Sequence, residues 1–202
     1  MSVFPRFYPI VDSADWVRRL APLGVEWMQL RIKQLPPEAI RREVRTALAI
    51  CRSCQLQLII NDHWQIALEE GADFIHLGQQ DLLQADLKAI RARGARLGIS
   101  THDHAELDTA LALDPDYIAL GPIYPTTLKQ MPWAPQGLPR LGEWKRLIGE
   151  RPLVAIGGIT LQRSAGCFNA GADGAAVVSD ITGHPDPAAR VLDWLAATRT
   201  FS

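Results

Sequence analysis

The stretch "YPIVDSADW", residues 8–16, decides between two ways of arranging this chain. A short apolar run ends in an acid and passes directly into a helix-patterned segment. An open doubly wound sheet usually carries a Gly-rich dinucleotide loop after its first strand, and residues 8–16 contain no glycine. Outward from here the same unit recurs. Apolar or β-branched runs stand at "YPIVD" (8–12), "WMQLRI" (27–32), "QLIIN" (57–61), "FIHLG" (74–78), "RLGIS" (96–100), "YIALGP" (117–122), "LVAIG" (153–157) and "GAAVVS" (174–179). Amphipathic stretches such as "PEAIRREVRTALAICRSC" and "HAELDTALALD" lie between them, and "EEGADF" and "NAGADG" read as helix end, turn and next strand. Strict strand–helix alternation argues for parallel βαβ units. Eight units in 202 residues leave room for short loops only. The sequence therefore predicts an α/β fold, a single (β/α)8 TIM barrel over residues 1–202 forming one catalytic domain.

Composition narrows the function classes. With 48% hydrophobic and 21% charged residues the chain can bury a core without staples. A formal net charge of −1 provides no basic field for nucleic acid or an anionic membrane. No run of 18 apolar residues would span a bilayer, and "MSVFPRFYPI" lacks the pattern of a secretory signal. Three cysteines, with Cys51 and Cys54 as a lone CxxC inside a helix-like segment, read as structural thiols in a reducing cytoplasm. Self-association is left open.

One connection breaks the short-loop rule. From Gly121 to about Leu141 the chain reads "GPIYPTTLKQMPWAPQGLPRL", with five prolines and no periodicity. Long connections of this kind are often binding loops, and one after strand six lies at the catalytic face of a barrel. A tolerated insertion is the plainer alternative.

The charged residues gather at the same face. In "WMQLRIK" the period-two alternation turns Leu30 and Ile32 to the helices and Gln29, Arg31 and Lys33 to the interior. Two cations there cost several kcal/mol each unless they are paired. Internal carboxylates or an anionic ligand would supply the partner. Asp62 and Asp81 terminate strands three and four, neighbours in a barrel, and so reach the mouth beside them. The four could form a salt-bridge cluster, and either Asp could simply cap a helix. Mg²⁺, however, is typically held by one or two carboxylates together with substrate phosphates, so a diphosphate would satisfy both sets. "AIGGIT" (155–160), with Gly158 and a following helix whose first N–H groups are free, and Ser179 in "AVVSD" offer a second anion site where barrels usually cradle phosphate; a simple turn is the alternative. His76 in mid-strand reads as hydrogen-bonded core, and His102 and His104 lack metal-ligand spacing. Trp16, Trp27, Trp144 and Trp194 read as packing residues, whereas Trp133 could pack or cover a ligand.

In order, "YPIVD", "QLRIK", "LIIND", "HLGQQDL", "LGISTHD", "YIALGPIYPT", "KQMPWAPQGL", "VAIGGI" and "GADGAAVVSDI" resemble the thiamine-phosphate synthase family almost from end to end. The resemblance implies a transferase that joins a hydroxymethylpyrimidine diphosphate to a thiazole ethyl phosphate, releasing pyrophosphate. It places the pyrimidine diphosphate on Gln29, Leu30, Arg31, Ile32 and Lys33, with Asn61, Ser100 and Lys129, and one Mg²⁺ on Asp62 and Asp81. Arg31, Lys33, Ser100 and Lys129 would serve the chemistry. The thiazole phosphate would lie on Thr126, Thr127, Leu128, Gly158, Val178 and Ser179. The family loop commonly reads Thr-x-Thr-Lys, and here "TTLK" puts Leu128 at the second threonine. Two other readings share the barrel. A thiazole tautomerase would use an acid–base histidine just after strand six, where this chain has Pro122. A non-catalytic phosphate-ligand sensor is not excluded by fold.

Overall fold

The computed structural model describes residues 4–126 and 133–199. Eight parallel strands close into a barrel in chain order: β1 (Phe7–Val11), β2 (Trp27–Leu30), β3 (Gln57–Asn61), β4 (Phe74–Leu77), β5 (Arg96–Thr101), β6 (Tyr117–Leu120), β7 (Leu153–Ile156) and β8 (Gly174–Val177). β1 pairs with β8 as well as β2, for example through Tyr8 and Ala176. The predicted barrel is the one found. Helices α1 (Ala14–Leu20), α2 (Pro37–Ser53), α3 (Trp64–Glu69), α4 (Gln79–Leu82), α5 (Leu87–Ala92), α6 (His104–Ala112), α7 (Gly137–Ile148), α8 (Leu161–Asn169), α9 (Ser179–Thr182) and α10 (Pro187–Thr198) follow the strands.

Period-two alternation divides the apolar residues into two cores. Tyr8, Ile10, Ile59, Phe74, Tyr117, Ala119, Val154 and Ala176 fill the barrel, and Phe4 and Trp27 pack against them with ring centroids 4.8 Å apart. The outer core contains Leu30, Ile32, Leu58 and Ile60 beneath the helices. Trp144 and Trp194 are fully buried there, and each indole N–H is satisfied, by Thr101 Oγ1 at 2.9 Å and by Asp180 Oδ2 at 2.8 Å. β5 carries Gly98 where it faces Tyr117. A Cβ at that position would overlap the Tyr117 ring, so glycine is what lets the phenol cross the interior.

Three expectations need correction. The long connection after β6 is not structureless to Leu141, because α7 begins at Gly137 and accommodates Pro139 in its first turn, where the missing N–H costs nothing. The CxxC does not lie deep inside a helix: Cys51 is buried near the end of α2 and exposed Cys54 is its C-cap. The first N–H of α8 is not free, since Leu161 donates to Asp180 Oδ2 at 3.2 Å. Asp180 also accepts from Arg190 at 3.0 Å, so this one carboxylate ties the starts of α8 and α9 to α10.

Candidate active site

Among the described residues, those singled out in the sequence lie at or near the C-terminal ends of the strands. Gln29 is buried in the interior on β2, while Leu30 and Ile32 point into the outer core, so only their backbone can face a ligand. β2 stops at Leu30, though the Arg31 N–H still bonds Val11 O at 2.7 Å. Arg31 is half-buried and has no carboxylate partner among the described residues. Asn61 is buried at the end of β3, paired in register with His76.

Asp62 leaves the strand with φ +65°, a left-handed conformation that costs non-glycine residues energy, though aspartate tolerates it better than most. Its N–H donates to His76 O at 2.9 Å, and the reversed backbone is held by Trp64 N–H on Asp62 O at 2.8 Å. Asp81 does not terminate β4. It sits four residues beyond, in the single turn of α4, and neither it nor Asp62 caps a helix through its side chain. The two carboxyl groups nevertheless lie close enough to shift each other's ionisation. Burial alone would raise Asp62, but the Lys33 ammonium holds it below the usual carboxylate range. Asp81 is raised, first by burial and then by the charge on Asp62. Lys33 contacts Asp62 directly, so part of the internal-pair alternative is realised. The Lys33 side chain is 47% exposed, whereas Arg31 stays unpaired among the described residues.

Two facing carboxyl groups that repel each other, one of them already paired with a cation, are a donor set suited to a hard divalent ion that keeps further ligands on a phosphate. Among the described residues no cluster of three or more His, Cys, Asp or Glu could hold a metal unaided.

Across the mouth, Pro125, Thr126, Gly158, Ile159, Thr160, Arg163 and Ser179 line a cleft of about 270 Å³. Gly158 has φ +65°, and a Cβ there would lie 2.8 Å from Tyr124 O, so glycine lets the β7 loop close against the β6 loop. Val178 turns its side chain to the barrel interior. Among the described residues Arg163 is the one formal charge lining the cleft, and sequence reasoning missed it. Its guanidinium lies 4.8 Å from the Tyr124 ring centroid and donates to Gly158 O at 2.7 Å. Thr127, Leu128 and Lys129 fall outside the described residues.

His76 is hydrogen-bonded core, as expected, but it also touches the site. Nδ1 lies 2.7 Å from Tyr117 Oη and Nε2 2.8 Å from Ser100 Oγ, and burial pushes its pKa down to about 4. Gln79 Nε2 donates to Ser100 O at 2.7 Å, another link the sequence did not show. His102 and His104 bond Glu106 and Glu143, and Trp133 stacks on His102 with centroids 5.6 Å apart.

The family model described as thiamine monophosphate synthase matches residues 7–181, which take in every strand and both halves of this rim. The chain belongs to that family. Members are transferases of thiamine biosynthesis, and this chain is an enzyme of that class. It is 62% identical over 192 residues to a thiamine-phosphate synthase of Rhizobium etli, covering 95% of this chain and 94% of the relative. A thiamine-phosphate synthase of Citrobacter koseri is 48% identical, covering 95% and 87%. A solved structure of thiamine phosphate pyrophosphorylase from Pyrococcus furiosus superposes with a TM-score of 0.86 over 97% of this chain and 96% of that one. At 24% identity it supports the fold alone. Among the described residues no helix is long and apolar enough to cross a membrane.

Proposed function

We propose that this member of the thiamine monophosphate synthase family couples a hydroxymethylpyrimidine diphosphate to a thiazole ethyl phosphate, with one Mg²⁺, giving thiamine phosphate and pyrophosphate. The observation that carries the reading is the Asp62–Asp81 carboxyl pair beside Lys33 and the unpaired Arg31, at the same rim as a phosphate-sized cleft. The C–O bond between the pyrimidine CH₂ and the diphosphate breaks, and its electron pair leaves with pyrophosphate. The thiazole nitrogen lone pair then forms the new C–N bond, so no side-chain nucleophile is needed. The protein's task is electrostatic: to receive charge on the departing group and to hold the two reactants face to face.

Asp62 and Asp81 are the residues that would hold Mg²⁺, which when bound neutralises charge on phosphate oxygens. Arg31 is free to take a diphosphate oxygen, and Lys33 can swing from Asp62 to another. Lys129 joins them in this proposal. Gln29, Asn61 and Ser100 lie on the pyrimidine side. Thr126, Gly158, Ser179 and Arg163 take the thiazole phosphate, with Thr127 and Leu128 on the adjoining loop. The three free cysteines fit a reducing cytoplasm.

The direct test is to incubate the pure protein with both substrates and Mg²⁺, then oxidise and read thiochrome fluorescence. The reading predicts a signal that needs both substrates and the metal. Isomerised thiazole without coupling would replace it by a tautomerase, and ligand binding without any turnover by a sensor.

A further inference from the structure

A hydrogen-bonded chain crosses the barrel interior from its aromatic packing to its mouth. Tyr8 Oη lies 3.4 Å from Tyr117 Oη, Tyr117 Oη 2.7 Å from His76 Nδ1, and His76 Nε2 2.8 Å from Ser100 Oγ. Tyr8, Gln29, His76 and Tyr117 are all buried, and Ser100 is half-buried at the mouth. Gly98 leaves the space that this arrangement needs.

Counting protons gives the chain a direction. Burial raises both phenols, so both keep their hydrogens. Tyr8 Oη has one hydrogen-bond partner among the described residues, Tyr117. It must donate to it, because a buried O–H left unpaired costs about 1–3 kcal/mol. Tyr117 then has its own hydrogen to place, and His76 Nδ1 is the acceptor left to it among the described residues. An Nδ1–H on His76 would leave that buried phenol hydrogen without a partner, so Tyr117 donates its proton to Nδ1. Neutral His76 carries a single N–H, which therefore sits on Nε2 and points at Ser100 Oγ. The Ser100 hydrogen has no acceptor among the described residues and is left for the mouth.

We infer that Tyr8, Tyr117 and His76 form a directional relay that fixes Ser100 as a hydrogen-bond donor, with His76 its positioning residue. The atom that Ser100 meets is then an acceptor, a phosphate oxygen or a ring nitrogen of the pyrimidine diphosphate, and not its amino group. The identity of that substrate rests on the proposed function. The tautomer does not.

Long-range proton–nitrogen correlation on the full ¹⁵N-labelled chain near pH 7.5, with His76 assigned through His76→Gln, reports which ring nitrogen carries the hydrogen. The relay predicts Nε2–H, and an Nδ1–H tautomer would overturn it. In turnover, His76→Gln keeps an amide donor within reach of Ser100 and should retain at least about tenfold more kcat than His76→Leu, with the KM for the thiazole phosphate unchanged in both. Equal loss in both variants would overturn the positioning role. Inorganic pyrophosphate and the bare hydroxymethylpyrimidine, each titrated against wild type and Ser100→Ala, separate the two acceptors. Weakening of the first points to a phosphate oxygen and of the second to a ring nitrogen; no change in either contradicts the donor assignment. If wild type makes no thiamine phosphate, the proposed reaction fails while the tautomer result stands.

Discussion

The carboxyl groups of Asp62 and Asp81 lie close enough for each to shift the other's ionisation, although one follows a strand and the other lies in a one-turn helix. Such a contact between acids is unfavourable once both are ionised, and a cation relieves it. Asp62→Asn and Asp81→Asn should each reduce the coupling rate by about 10²-fold or more, as removal of other electrostatic stabilisers does. Steady-state rates across a Mg²⁺ titration check this. A variant with the full wild-type rate would remove that residue from the metal site.

Lys33 separates a structural from a functional role. Its ion pair joins a half-exposed ammonium to an Asp62 carboxylate that is only 9% exposed, so truncating Lys33 leaves a buried acid without its cation. Lys33→Ala should therefore lower the melting temperature by roughly 5 °C or more, by the usual conversion for a chain of this length. The same variant should lose turnover on the order of tenfold or more. Calorimetry and the thiochrome assay on one preparation give both numbers.

Arg163 supplies the formal charge in the cleft across the rim. Replacing it with glutamine keeps hydrogen-bonding capacity and removes the charge. Arg163→Gln should raise KM for the thiazole phosphate about tenfold, since a hydrogen bond to a charged group contributes about 1.5–3 kcal/mol, and leave KM for the pyrimidine diphosphate near its starting value. Initial-rate kinetics with each substrate varied separately read the difference.

The cysteines give a prediction of pH dependence. Burial pushes the Cys51 thiol up to about 12 and Cys167 to about 11, while Cys54 is exposed. In the unfolded chain the Cys51 and Cys167 thiols ionise near 9.0, so above that pH the unfolded state has fewer bound protons than the folded one, and stability falls as pH rises. Iodoacetamide at pH 8.5 should label Cys54 and spare the other two until the protein is denatured. Mass spectrometry of the tryptic peptides shows which thiols reacted.

Much of this molecule was legible in its sequence, for a physical reason. β2 and β3 alternate between two apolar cores, so their patterns survive in "WMQLRI" and "QLIIN", and the absence of a Gly-rich loop after β1 excluded the open sheet. What escaped reading has no period. α4 is a single turn, so Asp81 read as a strand end. Gly137 and Pro139 look like breakers although a helix start tolerates both. An exposed arginine such as Arg163 carries no signal until β6, β7 and β8 meet around it. The contact between His76 and Tyr117 joins residues 41 apart and exists only once the barrel closes.

The central claim is that this rim seats a metal-bound diphosphate, and a crystal grown with Mn²⁺ and inorganic pyrophosphate tests it most directly. The account predicts an anomalous peak bridging Asp62 and Asp81, with Arg31 and Lys33 turned onto pyrophosphate oxygens. Lys33 still locked on Asp62, with no peak between the carboxylates at saturating Mn²⁺ and pyrophosphate, would contradict it.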